Sequence, residues 1–264
     1  MSQSPMKLKS SLNIVGVVSL ALPPVLFAQA VDEIQEMEKG SPLAFLNEME
    51  TEASATFGWD SIYLAEGRDD LGKGGLVYSE FTGTAGPVAL GAWYADATDV
   101  NYNEWNLFAE IAVEIADGLE GYLGYTYLDF YDDGEKTDDN EVGVGLAYAI
   151  TDYLEATADY VYSFEAEGSF VEVALAAPYD LAEGFSVAPY VLLGIDFGYR
   201  TEEYDGWNHL QVGLDAEYLI GERFAIGGYA AYAFALRDIE KEEDSTGEEI
   251  GDQPAFGVYA SIGF

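Results

Sequence analysis

The chain is 264 residues long and carries 49 acidic against 10 basic residues, for a formal net charge of -39. That excess argues against nucleic acid, or anionic lipid held through a basic patch, as a partner, and the absence of cysteine removes both a disulfide framework and a thiolate metal site. Aromatic residues make up 14% of the chain and recur at regular spacing, which separates it from a disordered acidic polymer.

Lys7 and Lys9 precede an apolar segment from Leu12 to Phe27 and an Ala-x-Ala site at Ala28-Gln29-Ala30, the layout of a secretory signal peptide over residues 1–30. Pro23 and Pro24 break the segment near its end and argue against a retained helix. No later apolar run suits a spanning helix. Residues 31–50 are acidic and lack period-two alternation, although Ile34, Met37, Leu43, Phe45, Leu46 and Met49 fall on one side of a short helix interrupted by Gly40, Ser41 and Pro42. Two readings of this segment stand, a periplasmic lead-in and a plug folded into a lumen.

From residue 51 onward the pattern predicts twelve strands, at 52–64, 74–83, 88–97, 104–116, 119–131, 141–150, 153–164, 169–179, 185–198, 207–220, 224–236 and 253–264. Connections after even-numbered strands are short, such as Asp117-Gly118 and Thr151-Asp152. Most connections after odd-numbered strands are longer and more acidic: 65–73, 132–140, 200–206 and 237–252. Short periplasmic turns opposite long external loops are the signature of an outer-membrane barrel, and an even strand count returns the C-terminus to the N-terminal side.

The faces of the strands agree with that orientation. In the fourth strand Trp105, Leu107, Ala109, Ile111, Val113 and Ile115 alternate with a row containing Glu104, Glu110 and Glu114. The seventh sets Leu154, Ala156, Ala158, Tyr160 and Tyr162 against Glu155, Thr157 and Asp159, and the tenth sets Leu210, Val212, Leu214 and Ile220 against His209, Asp215 and Glu217. A soluble sheet would place its charged row outside; here the unbroken row is apolar, as a lipid-facing surface requires. Tyr63, Trp93, Tyr94, Trp105, Tyr131, Tyr199, Trp207 and Tyr218 lie near strand ends, where the membrane interface accommodates a ring with one apolar and one hydrogen-bonding end.

The inward rows then carry Asp60, Glu104, Glu110, Glu114, Glu141, Glu155, Asp159, Glu172, Asp196, Asp215 and Glu217, with Arg237 as almost the only matching base. Unpaired carboxylates are costly in a dry interior, so this pattern implies a wet, acidic lumen that concentrates cations and repels anions. The alternative is a plugged barrel in which the same carboxylates only hydrate the interior. His209 is the sole histidine and has no serine at a useful local spacing, so a catalytic triad is not expected, nor is a cofactor. Asp132, Asp133, Glu135, Asp138, Asp139, Asn140 and Glu141 crowd one external loop, and Glu240, Glu242, Glu243, Asp244, Glu248 and Glu249 another. Both loops offer oxygen ligands for divalent cations or a bridge to lipopolysaccharide, with a solvated acidic loop as the default.

At the end of the chain Phe256, Val258, Ala260, Ile262 and Phe264 alternate with small or polar residues that include Tyr259. A terminal phenylalanine on such a strand resembles the C-terminal signal through which Phe256, Val258, Tyr259, Ile262 and Phe264 would engage the barrel-assembly machinery. The stretch Trp59-Asp60-Ser61-Ile62-Tyr63-Leu64-Ala65-Glu66-Gly67, the Gly74-Gly75 strand and Gly91-Ala92-Trp93-Tyr94 together resemble the TorF-type porin family of small outer-membrane barrels. The resemblance implies an outer-membrane barrel with pore function and no assigned substrate. The sequence thus leads to an all-β chain, a transmembrane antiparallel up-and-down barrel of about 12 strands over 51–264. Passive diffusion of small cationic or neutral solutes is its expected activity. The rivals are a structural or adhesive barrel with acidic surface loops and, behind that, a lipid-modifying barrel enzyme.

Overall fold

A computed structural model of the chain describes residues 51–200, 205–242 and 250–264. The signal peptide and the acidic lead-in or plug expected over residues 1–50 lie outside the described residues. Twelve long strands follow: β1 (Thr51–Asp60), β2 (Leu76–Ala85), β3 (Val88–Ala97), β4 (Tyr102–Ala116), β5 (Leu119–Asp132), β6 (Glu135–Thr151), β7 (Leu154–Ser163), β8 (Gly168–Ala176), β9 (Phe185–Phe197), β10 (Asp205–Ile220), β11 (Phe224–Ala235) and β12 (Gln253–Gly263). Each pairs antiparallel with its sequence neighbours, and β1 pairs with β12, so the sheet closes without an edge. A two-strand hairpin, Leu64–Ala65 with Arg68–Asp69, lies outside this sheet, and Tyr179–Ala182 extends β9 at the short-turn end.

The outer surface is apolar because the alternation makes it so. Leu90, Ile111, Leu123 and Val258 are each more than half exposed, on strands from opposite sides of the barrel. A belt of that extent in water would be an aggregation surface; lipid is the solvent that matches it. Trp105 packs on Tyr94 at 4.6 Å between ring centroids and, with Tyr131 and Trp207, faces outward near the long-loop end, while Tyr148, Tyr153 and Tyr218 do so near the short-turn end. The chain is therefore a membrane-spanning β-barrel. Three aromatic residues expected in these girdles turn inward instead. Tyr63 donates to Glu104 and Tyr199 donates to Glu141, while Trp93 packs against Tyr63 and Tyr78. Their hydroxyls and ring faces find partners within the mouth that the interface does not supply.

Three strand boundaries differ from expectation for local reasons. The acidic stretch 132–140, expected as a loop, is mostly strand: Asp132 pairs with Glu135 and Tyr131 with Lys136 across a two-residue turn. Asp133 and Gly134 both have positive φ, 45° and 94°, which is what an Asp-Gly hairpin turn requires. Strand β8 ends at Ala176, not residue 179, because Tyr179 pairs separately with Val187. Strand β1 ends at Asp60, not residue 64, and residues 61–75 fold back into the barrel mouth.

The lumen is built by a repeated pairing of tyrosine with glycine. Tyr78 covers Gly58, Tyr122 covers Gly145, Tyr190 covers Gly213 and Tyr259 covers Gly227, each across a strand pair. A ring laid flat on the wall leaves no space for a β-carbon beneath it, so glycine occupies the facing position.

Candidate functional site

The site is the lumen and the loop that enters it. Ile62 and Leu64 are apolar side chains in a loop that would otherwise be solvated. Leu64 is buried against Tyr229, Ala231, Ala233 and Ala255 on the inner faces of β11 and β12, with Ile62 packed beside them. Burying these two residues brings the hairpin tip, Glu66–Gly67, down to the wall, where Gly67 lies on the ring of His209.

Once inside, the loop's charges need partners. Arg68, only 4% exposed, gives two N–H groups to the carboxylate of Glu242, a third to the backbone oxygen of Glu66, and lies 3.7 Å from buried Asp238. Arg200, on the loop after β9, pairs with Glu66 at 3.1 Å and with Asp70. Two arginines thus fasten the inserted loop to two other loops of the same end, in arrangements where the charges are neutralised and the geometry is multidentate. Burial pushes the Glu66 carboxyl up to about 7, against the pull of Arg200. Burial also raises Asp238, opposed by the hydrogen bond from Asn208 and the charge of Arg68. Burial works against the Arg200 charge, but Asp70 and Glu66 outweigh it and hold the guanidinium more firmly protonated.

Beneath the loop, the structure places the sequence-predicted residues as follows. Asp60, Glu104, Glu110, Glu172, Asp196 and Asp215 are buried on inward faces, Glu104 fully. Glu104 accepts from Tyr63 at 2.8 Å, Tyr102 at 2.6 Å and Asn106 at 2.8 Å. Asp196 accepts the backbone N–H of Tyr199 at 2.7 Å. Glu155, Asp159 and Glu217 are inward and half-buried; Tyr122 donates to Asp159 at 2.7 Å and Tyr259 to Glu217 at 3.1 Å. Glu114 is on the inward row of β4 but exposed, towards the short-turn end. Arg237 is exposed in the loop after β11, away from the lumen wall, and among the described residues the shielded bases of the mouth are Arg68 and Arg200. Phe256, Val258, Ile262 and Phe264 face outward, whereas Tyr259 is inward beside Gly58 and Gly227.

Three further side chains, Glu80, Arg68 and Arg200, line the lumen and its mouth. Glu80 lies on the inward row of β2 between Tyr78 and Thr82, a row obscured because outward Ser79 interrupts the apolar alternation. Arg68 and Arg200 reach the mouth only through the fold of their loops, for which no local pattern exists. His209, considered for catalysis, is fully buried between Gly67, Phe170 and Asn208. Among the described residues, no three or more histidine and carboxylate side chains are grouped to hold a metal ion.

The lumen therefore has two halves. Towards the long-loop end it is filled by the inserted loop and lined by buried side chains; towards the short turns its polar residues are more accessible, with Glu114 exposed and Glu120 and Ser186 half-buried. No family model and no curated protein sequence matches the chain. Among solved structures it is similar to the KdgM porin, at 11% identity and a TM-score of 0.56 over 80% of this chain and 99% of that one. A second structure, the KdgM porin in complex with disordered oligogalacturonate, gives 10% identity and a TM-score of 0.54 over 81% and 99%. What is shared at these identities is the fold.

Proposed function

We propose that this barrel is a porin-type channel for passive diffusion of small cationic or neutral solutes, restricted at its outer mouth by the loop 61–75. The observation that carries the reading is charge without counter-charge. Carboxylates recur along the inward faces from Asp60 to Glu217, while Arg68 and Arg200 are already tied to carboxylates of the mouth. A narrow, acidic, low-dielectric passage raises the local concentration of cations and excludes anions. The TorF-type resemblance points the same way. The KdgM porin was solved with oligogalacturonate; that acidic chain would meet repulsion here, so its ligand is not carried over.

Neutralising Glu110, Glu114, Asp215 and Glu217 together, as Gln or Asn, should move the reversal potential in a potassium chloride gradient towards zero. Unchanged selectivity would remove these residues from the mechanism. A second reading, a non-conducting barrel whose acidic loops carry the function, is favoured by one observation: Leu64, Glu66 and Arg68 are all buried within the mouth. The apolar edge of β12, from Phe256 to Phe264, suits engagement by the assembly machinery, and the acidic external surface suits lipopolysaccharide bridged by divalent cations. No catalytic role is proposed for His209.

A further inference from the structure

The buried polar atoms left without a partner in the lumen share one chemistry. Both carboxylate oxygens of Glu110, one of Glu172, one of Asp215 and the amide oxygen of Asn106 are shielded and accept no hydrogen bond, although each residue is more than nine-tenths buried. His209 adds a further acceptor. Asn208 gives its amide N–H to Asp238 at 3.1 Å, so its oxygen faces His209 Nδ1 at 2.9 Å and accepts a hydrogen bond from the N–H there. Nε2 of His209 is then a lone pair with no donor. Carboxylate, amide and imidazole thus all call for donors, and an acceptor that stays unmet in a low-dielectric interior is costly.

These acceptors do not converge on a point. They lie on β4, β8 and β10, and no group of three or more histidine and carboxylate side chains among the described residues is arranged to hold a metal ion. A compact ion would meet one or two of them at a time. A flexible chain of cationic N–H centres separated by methylenes can meet several in succession. An intervening tyrosine ring suits such a chain as well: Tyr190 is on β9, which pairs with β8 bearing Glu172 on one side and β10 bearing Asp215 on the other, and an aromatic face accepts both methylene contact and a nearby ammonium. Resting on the cation-preferring reading above, we infer that the lumen is a binding site for linear polyamines, with Glu110, Glu172 and Asp215 as the principal anchors.

Spermidine is the probe, applied to the mature protein in two formats: current through a planar bilayer, and thermal unfolding in detergent. Sodium chloride at matched ionic strength and magnesium chloride at matched concentration are the controls. The expected result is a concentration-dependent reduction of current and a raised unfolding midpoint with spermidine, neither reproduced by the controls. The variant Glu110→Gln/Glu172→Gln/Asp215→Asn should then need at least about tenfold more spermidine for either effect. Equal effects from magnesium would overturn the polyamine assignment in favour of simple charge screening. A conducting protein that shows neither effect would overturn the site while leaving the channel intact. Spermidine-dependent stabilisation of a protein that carries no current would support the site and count against the channel. Because the wild-type comparison with magnesium is decisive by itself, failure of the variant to fold does not rescue the proposal.

Discussion

Glu66 sits at the tip of the inserted hairpin, where loss of water dominates and the ion pair with Arg200 offsets it only in part, so its carboxyl is pushed up to about 7 from 4.5. The inserted loop therefore holds a proton that a displaced, solvated loop would release. Protonation of Glu66 favours insertion fully below about 4.5, and that contribution is lost as pH rises through about 7. We expect open-channel events to become more frequent between about pH 5 and about pH 8, and Glu66→Gln to flatten this dependence; an unaltered profile would assign it to another group. Arg68 works in the opposite sense, as a fixed charge between Glu242 and fully buried Asp238. Arg68→Ala leaves buried carboxylate uncompensated, a loss of about 3–5 kcal/mol in comparable buried pairs. Amide hydrogen exchange over 62–70 should accelerate sharply, whereas Lys136→Ala, which removes an exposed pair with Asp129, should leave it unchanged. Among residues, the inward rows of β4, β7 and β10 were legible from the sequence because strict alternation sorts side chains between lipid and lumen. Arg68 and Arg200 were not, since their partners come from loops far away in sequence and charge has no period to read.

The strands follow from pattern, and the loops from competition between pattern and burial. The β5–β6 hairpin extends to Asp133-Gly134 because a two-residue turn with both φ positive closes the ladder, so carboxylates that looked like a solvated loop are distributed over two strands. Neighbouring residues of those two strands point to opposite faces. Residues 61–75 were read as partly strand and partly external loop. The contact that folds them inward, Leu64 against Tyr229 and Ala255, joins residues far apart in the sequence and has no local signature. Close packing between elements gives a test at this scale. Gly168, at the top of β8, lies directly against the Gly198 backbone, next to the bridge between Ser169 and Gly198, and a β-carbon there would collide with the Gly198 carbonyl. Gly168→Ala should cost about 1–3 kcal/mol in denaturant unfolding because the backbone has to move. At Gly213 the obstacle is the movable end of the Tyr190 ring, so Gly213→Ala should cost less. Equal costs would mean that the ring is as immobile as the backbone.

At the scale of the whole molecule, the closed twelve-strand barrel and the pairing of β1 with β12 were present in the sequence as period-two alternation, turn spacing and an apolar terminal strand, whereas the aromatic girdles were legible only in part. The division of the lumen into a filled half and a more accessible half was not, because it depends on one loop choosing the interior. The proposed passage is acidic and cation-preferring, and the loop 61–75 restricts it. The most direct measurement compares planar-bilayer currents of the mature protein and of a variant with residues 62–72 replaced by a short Gly-Ser turn, under a potassium chloride gradient. Larger discrete conductance steps are expected in the variant, with a cation-selective reversal potential in both. Silence from both proteins, once shown to be folded and inserted, or an anion-selective reversal potential, would contradict the proposed passage.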